Sequence, residues 1–152
     1  MCELLTTSTE KKIEGFKIVA RKPKGKRYFS IAMGFKYPLD GHIPIVRNQH
    51  RISLIFMDHI TSKHSPAHRH HMLGRTSVYL NICDAWRRYH VLIQSSVRRG
   101  YKLVVVRAEV SGNIMEGYYT GRNVMDRKVA AGRNIRFIEE YRKIPNPYFN
   151  KV

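Results

Sequence analysis

Residues 77–110 read SVYLNICDAWRRYHVLIQSSVRRGYKLVVVRAEV. The stretch parses as strand, helix, strand. Residues 77–80 are β-prone. Asn81 can accept a hydrogen bond from an orphan N–H of a first helical turn, and Asp84, three residues on, suits the positive end of a helix. Ile82, Ala85, Trp86, Tyr89, Ile93 and Val97 recur at three- and four-residue steps and make one apolar face. Arg98 and Arg99 suit the negative end, and Gly100 supplies the stop. Residues 103–110 are nearly all β-branched or apolar, with Arg107 and Glu109 alternating outward, which is the pattern of a central strand.

Working outward, residues 13–21 read as a strand with Phe16, Ile18 and Ala20 on one face. The run KPKGKR at 22–27 is a turn, because Pro23 and Gly25 favour one, and its cations must point to solvent. Residues 28–35 read as the second strand of a hairpin with that basic tip. Residues 37–41 make a turn, 42–46 an edge strand at best because of Pro44, and 51–57 another strand. After Val110, residues 111–113 turn, 114–119 make a short strand, 122–133 a basic loop or short helix, and 135–141 a closing strand. Pro145 and Pro147 end regular structure. No internal repeat or linker interrupts the chain. The expected fold is a single α+β domain over 1–152, a mostly antiparallel twisted sheet with one principal helix packed on it. Residues 1–12 and 145–152 are expected to be loose tails.

An apolar fraction of 43% is enough for a core, so wholesale disorder is excluded. The 28 Lys and Arg against 11 Asp and Glu give +17, which favours a polyanionic partner such as nucleic acid over an anionic membrane surface. The cations are spread along the chain, so the basic surface belongs to the folded body. The two cysteines, Cys2 and Cys83, suggest neither a disulfide framework nor a metal knuckle. The N-terminal residues lack the apolar core of a signal peptide, and no run approaches the ~20 apolar residues of a membrane span. A reducing, cytoplasmic location is expected.

Two constellations carry candidate chemistry. Asp58, His59, His64, His68, His70 and His71 crowd one segment, and imidazoles that converge in threes or fours bind zinc. Their spacing fits no named motif, although Asp58 with His59 and His64 also allows a metal-dependent nuclease. No cofactor is expected, zinc being the metal these histidines would allow. The second constellation is cationic: Lys22, Lys24, Lys26 and Arg27 in the turn, Arg87 and Arg88 on the helix, Arg98, Arg99 and Lys102 after it, and Arg122, Arg127 and Lys128 late in the chain. Such residues neutralise phosphates, while Tyr28, Tyr37, Tyr118 and Tyr119 offer planes for bases. No RRM, KH or helix-turn-helix signature is present, so binding would be led by charge.

Residues 74–85 (GRTSVYLNICDA) followed by 100–110 resemble the middle of small ADP-ribosyltransferase-like folds, where a strand bearing Tyr or Ser leads into a helix and a further strand. The resemblance implies that Tyr79 takes the middle NAD-holding position and Glu116 or Asp126 the late acidic one. The early Arg or His has no clear counterpart, and there is no E-x-E or Q-x-E. Residues 108–114 (AEVSGNI) and 133–139 (RNIRFIE) are similar to small phage-encoded proteins of unknown function. Together the resemblances cover roughly the second half of the chain. The expected function is a small non-enzymatic binding protein that engages nucleic acid or a ribonucleoprotein. The phage-like segments imply a viral accessory protein acting on a host machine in the host cytoplasm. The competing readings are an ADP-ribosyltransferase-like or metal-dependent enzyme and a protein-protein inhibitor.

Overall fold

A computed structural model describes residues 2–8, 11–31, 36–44, 74–95, 100–119 and 127–142. Its elements are β1 (Cys2–Ser8), β2 (Lys12–Arg21), β3 (Thr76–Tyr79), α1 (Ile82–Ser95), β4 (Lys102–Ser111), β5 (Ile114–Tyr119), β6 (Arg127–Gly132) and β7 (Asn134–Glu140). The seven strands form one antiparallel sheet in the order β1-β5-β6-β3-β2-β4-β7, with α1 packed on it. The α+β class expected from the sequence is the one observed.

The spine of the sheet is β2 against β4, in unbroken register from Lys12↔Ser111 to Arg21↔Lys102. The apolar run in β4 follows from burial on both faces. Leu103 and Val105 join Ile18, Ala20, Tyr79, Ala85 and Leu92 beneath the helix. Val104, Val106, Ala108 and Val110 meet Val19, Val78, Tyr37 and Ile43 on the other side. Phe16 packs against the helix-side cluster that holds Ile18 and Ala20, as its alternation predicts. The helix begins where expected, since Asn81 Oδ1 accepts the Cys83 N–H at 2.9 Å. Its buried face keeps Ala85, Trp86 and Tyr89 of the predicted one and departs from it near the C-terminal end. Leu92 is buried, whereas Ile93 is 39% exposed. A step of one residue rotates a helical position by about 100°, and the face is centred on Ala85, Tyr89 and Leu92. Val97 lies outside the described residues.

Three expectations are corrected. The described part of the second hairpin strand, residues 28–31, does not pair with β2 as a strand; Phe29 makes a single bridge to Ala20 and another to Lys36. β4 occupies one edge of β2 along its whole length, and β3 meets the other edge at Phe16↔Tyr79. Phe29 is instead buried in the helix-side cluster with Ile31 against it, while Tyr28 and Tyr37 pack on the opposite face. Secondly, 127–132 is a strand between β3 and β5, neither loop nor helix. Val129, Ala130 and Ala131 are buried there, and tertiary burial overrides the helical preference of alanine. Thirdly, Cys2–Ser8 pairs with β5 from Cys2↔Tyr119 to Ser8↔Ile114, so it is no loose tail. Of the predicted edge strand at 42–46, the described residues 42–44 make one bridge, His42↔Asn134. The predicted strand at 51–57 and the tail at 145–152 lie outside the described residues.

β4 runs into β5 and β6 runs into β7, so the late chain is one long hairpin bent at a corner. Gly112 and Asn113 turn there with φ of 77° and 48°. Gly132 crosses Ser111 so closely that a Cβ on it would lie 2.6 Å from the Ser111 carbonyl oxygen. The two halves of the hairpin then sit on either side of β2 and β3.

Candidate nucleic-acid interface

The strand order β2-β4-β7 brings together, at one end of the sheet, residues that are far apart in sequence. Arg21 closes β2, Lys102 opens β4 opposite it, and Glu140 closes β7. Arg21, Lys102, Glu140 and Arg142 line one cleft. Arg21 grips Glu140 with both arms of its fork, Nη2 to Oε1 at 2.7 Å and Nε to Oε2 at 2.9 Å. Tyr28 donates its hydroxyl to the same carboxylate at 3.1 Å. Bidentate charge-assisted bonds of this kind are stronger and more directional than neutral ones. The Arg21 fork holds the Glu140 carboxyl below the usual range, with the Tyr28 hydroxyl adding to the effect. Burial, then the Glu140 charge, pushes the Tyr28 phenol up to about 12.

The third arm of Arg21 shapes the basic turn. Nη1 donates to the carbonyls of Lys22 (3.1 Å) and Pro23 (2.9 Å). The Gly25 N–H returns to the Lys22 carbonyl at 2.9 Å, closing a four-residue turn with Pro23 at its second position. Lys22, Lys24 and Lys26 are exposed on this turn and Lys102 is exposed beside it. Among the described residues, none of these four, nor Arg142, has a carboxylate within ion-pairing distance. Four acids elsewhere are paired: Glu116 with Lys11 at 3.0 Å, Glu139 with Arg107 at 3.4 Å, Glu109 with Arg136 at 3.5 Å and Asp84 with Arg87 at 3.8 Å.

The other predicted residues divide. Arg27 is half-buried and donates to the Tyr37 carbonyl at 2.7 Å, so part of its fork braces the loop behind the turn. Arg87 and Arg88 lie on α1, half-buried, away from the cleft lining. Arg127 opens β6, and Lys128 is exposed on it. Arg98, Arg99, Arg122, Asp126 and the histidines 59, 64, 68, 70 and 71 lie outside the described residues. The Tyr28 and Tyr37 rings both pack on Phe137, at 4.7 and 5.2 Å between centroids, and Tyr37 is buried, which removes it as a stacking platform. Tyr79 is buried under the helix, and Glu116 is taken by Lys11.

Sequence reasoning missed Arg21, Glu140 and Arg142. The strand ends were legible, but no local signal joins positions 119 residues apart. It also missed Lys17, which is wholly buried with its ammonium donating to the Ser77 carbonyl at 2.7 Å and standing 5.9 Å from the Tyr37 ring centroid. Among the described residues no three His, Cys, Asp or Glu side chains converge as a metal site, and no helix is long and apolar enough to cross a membrane. No family model matches the chain, and neither does any curated protein or solved structure.

Proposed function

We propose that this protein binds nucleic acid without acting on it, through the basic end of its sheet. The observation that carries the reading is the exposure of Lys22, Lys24 and Lys26 on the turn that Arg21 braces, together with Lys102 and Arg142 in the cleft that Arg21 also lines, none of the five with a carboxylate in ion-pairing distance among the described residues. A run of cations on a fixed scaffold neutralises successive phosphates and releases condensed counterions, whatever the base sequence. Arg21 does not itself touch a phosphate. Its fork is committed to Glu140 and to the turn carbonyls, and its part is to hold the lysines in place.

The test is binding of the full chain to single- and double-stranded DNA and RNA across a salt series. Affinity should fall steeply with salt on at least one of the four. Reversing Lys22, Lys24 and Lys26 to Glu should flatten the log–log slope by about three, one for each phosphate that is no longer neutralised. Unchanged affinity and slope in that variant would remove the turn from the interface. Absence of binding to all four would redirect the charge to an acidic protein partner, which a pull-down that survives nuclease would identify.

A further inference from the structure

The cleft beside the basic turn differs from the turn in shape and in charge. Alternation along the strands sets Arg21 on the same face as Val19 and Lys102 on the same face as Val104, opposite α1. The end of β7 brings Glu140 and then Arg142 to the same place, and the four side chains line a cleft of about 570 Å³. That volume is in the range of small-ligand sites. It is ample for a phosphate together with the sugar that carries it.

The lining has one carboxylate, and its accepting capacity is filled. An ionised carboxylate offers about four lone-pair positions. Arg21 Nε reaches both oxygens of Glu140, at 3.1 and 2.9 Å, Arg21 Nη2 reaches Oε1 at 2.7 Å, and the Tyr28 hydroxyl reaches Oε2 at 3.1 Å. Arg21 and Glu140 therefore cancel in charge. Lys102 and Arg142 remain. Both are exposed, and among the described residues neither has a carboxylate within ion-pairing distance. The lining thus carries a surplus of two positive charges beside the Arg21–Glu140 pair.

A phosphodiester inside a strand carries one negative charge. A terminal phosphate monoester carries close to two near neutral pH and presents three strong acceptor oxygens. An arginine fork takes two such oxygens side by side, and a lysine ammonium answers a third as a point charge. The end of a chain also enters a recess without the strand having to bend through it.

We infer that the cleft of Arg21, Lys102, Glu140 and Arg142 binds the terminal phosphate monoester of a nucleic-acid chain, Arg142 and Lys102 contacting its oxygens while the lysine turn follows the backbone. This end site rests on the nucleic-acid binding proposed above and narrows it to a phosphorylated end.

The test uses short DNA and RNA oligonucleotides, single- and double-stranded, with an internal fluorophore and ends that are all hydroxyl, 5′-phosphate or 3′-phosphate. Fluorescence anisotropy reads the affinity of the full chain for each. At least one phosphorylated end should bind about tenfold more tightly than the hydroxyl-ended form of the same strand, the size of one added charge-assisted contact. Arg142→Gln and Lys102→Gln should each bring that ratio under about twofold. Both residues are exposed, so neither substitution reaches the core. Lys22→Gln with Lys24→Gln and Lys26→Gln should weaken both forms and keep the ratio. A ratio near one in the wild type overturns the end site; if affinity still falls steeply with salt, nucleic-acid binding stands without it. A ratio that survives in either cleft variant, or that is lost in the lysine-turn variant, puts the terminal phosphate elsewhere and overturns the end site too. Absence of binding to every form removes nucleic-acid binding and the end site together.

Discussion

The two ends of the β2–β4 spine handle positive charge in opposite ways. At the Arg21 end one carboxylate organises the cations. Glu140 takes the Arg21 fork and the Tyr28 hydroxyl, and Arg21 in turn fixes the turn that displays Lys22, Lys24 and Lys26. At the Arg75 end backbone geometry does the organising, through a tight crossing of Gly132 over Ser111 and two residues at positive φ. The difference teaches that a strongly basic chain has two routes to a fixed cation. One neutralises a first arginine so that neighbouring lysines can be exposed. The other holds an arginine, Arg75, on a backbone carbonyl of a tightly crossed turn.

The largest expected effect is at the corner. Gly132→Ala would place a Cβ 2.6 Å from the Ser111 oxygen and 2.9 Å from its nitrogen, both backbone atoms that cannot swing aside. Chemical denaturation should show a loss of about 3 kcal/mol. Gly25→Ala, in the basic turn, meets Lys22 Cβ at 3.3 Å and should cost under ~1 kcal/mol. Equal costs would mean that the corner is no more constrained than the turn.

Glu140→Gln should come next, at about 2 kcal/mol near neutral pH, because a charge-assisted pair is replaced by a neutral one beside Arg21. The sign with pH follows from linkage. The folded carboxyl is held below its unfolded value, so its contribution is present above roughly pH 4.3 and is lost as pH falls through the lower folded value. Stability of the wild type should drop over that acid window more than that of Glu140→Gln. Parallel acid profiles would show that the pair contributes little.

Tyr28→Phe should cost about 1 kcal/mol. The Tyr28 phenol is pushed up to about 12, so its contribution is full below the ordinary tyrosine value near ~10 and is lost as pH rises from there through about 12. A spectrophotometric titration of the tyrosines should lose its most alkaline step in this variant; retention of that step would assign it to another ring. The smallest stability effect belongs to Lys24→Glu with Lys26→Glu, within ~0.5 kcal/mol, although the same change should reduce the salt slope of binding by about two.

Much of the frame was legible because its signals are local. The Asn81 cap, the continuous apolar run of β4 and the alternation of β2 each report one element's surroundings in a short window. β6 was not legible, since Arg-Lys-Val-Ala-Ala-Gly carries a helix-compatible composition, and only its position between β3 and β5 makes it a strand. β1 was hidden for the same reason, because it is defined by pairing with β5 rather than by a periodic pattern of its own. At the candidate interface the exposed lysines of the turn were visible in sequence. The arginine that holds them and the glutamate that holds the arginine were not.

By itself, then, the sequence determined a basic α+β chain, one helix with its cap, two central strands and a cationic turn, because propensity, hydrophobic period and net charge are properties of neighbours along the chain. Only the tertiary structure decided which strands lie side by side. That choice joined Arg21 to Glu140, buried Lys17 against Ser77 and set Arg75 against the Asn113 carbonyl. Strand order depends on burial and hydrogen bonding between distant segments, and no local pattern encodes a partner 119 residues away.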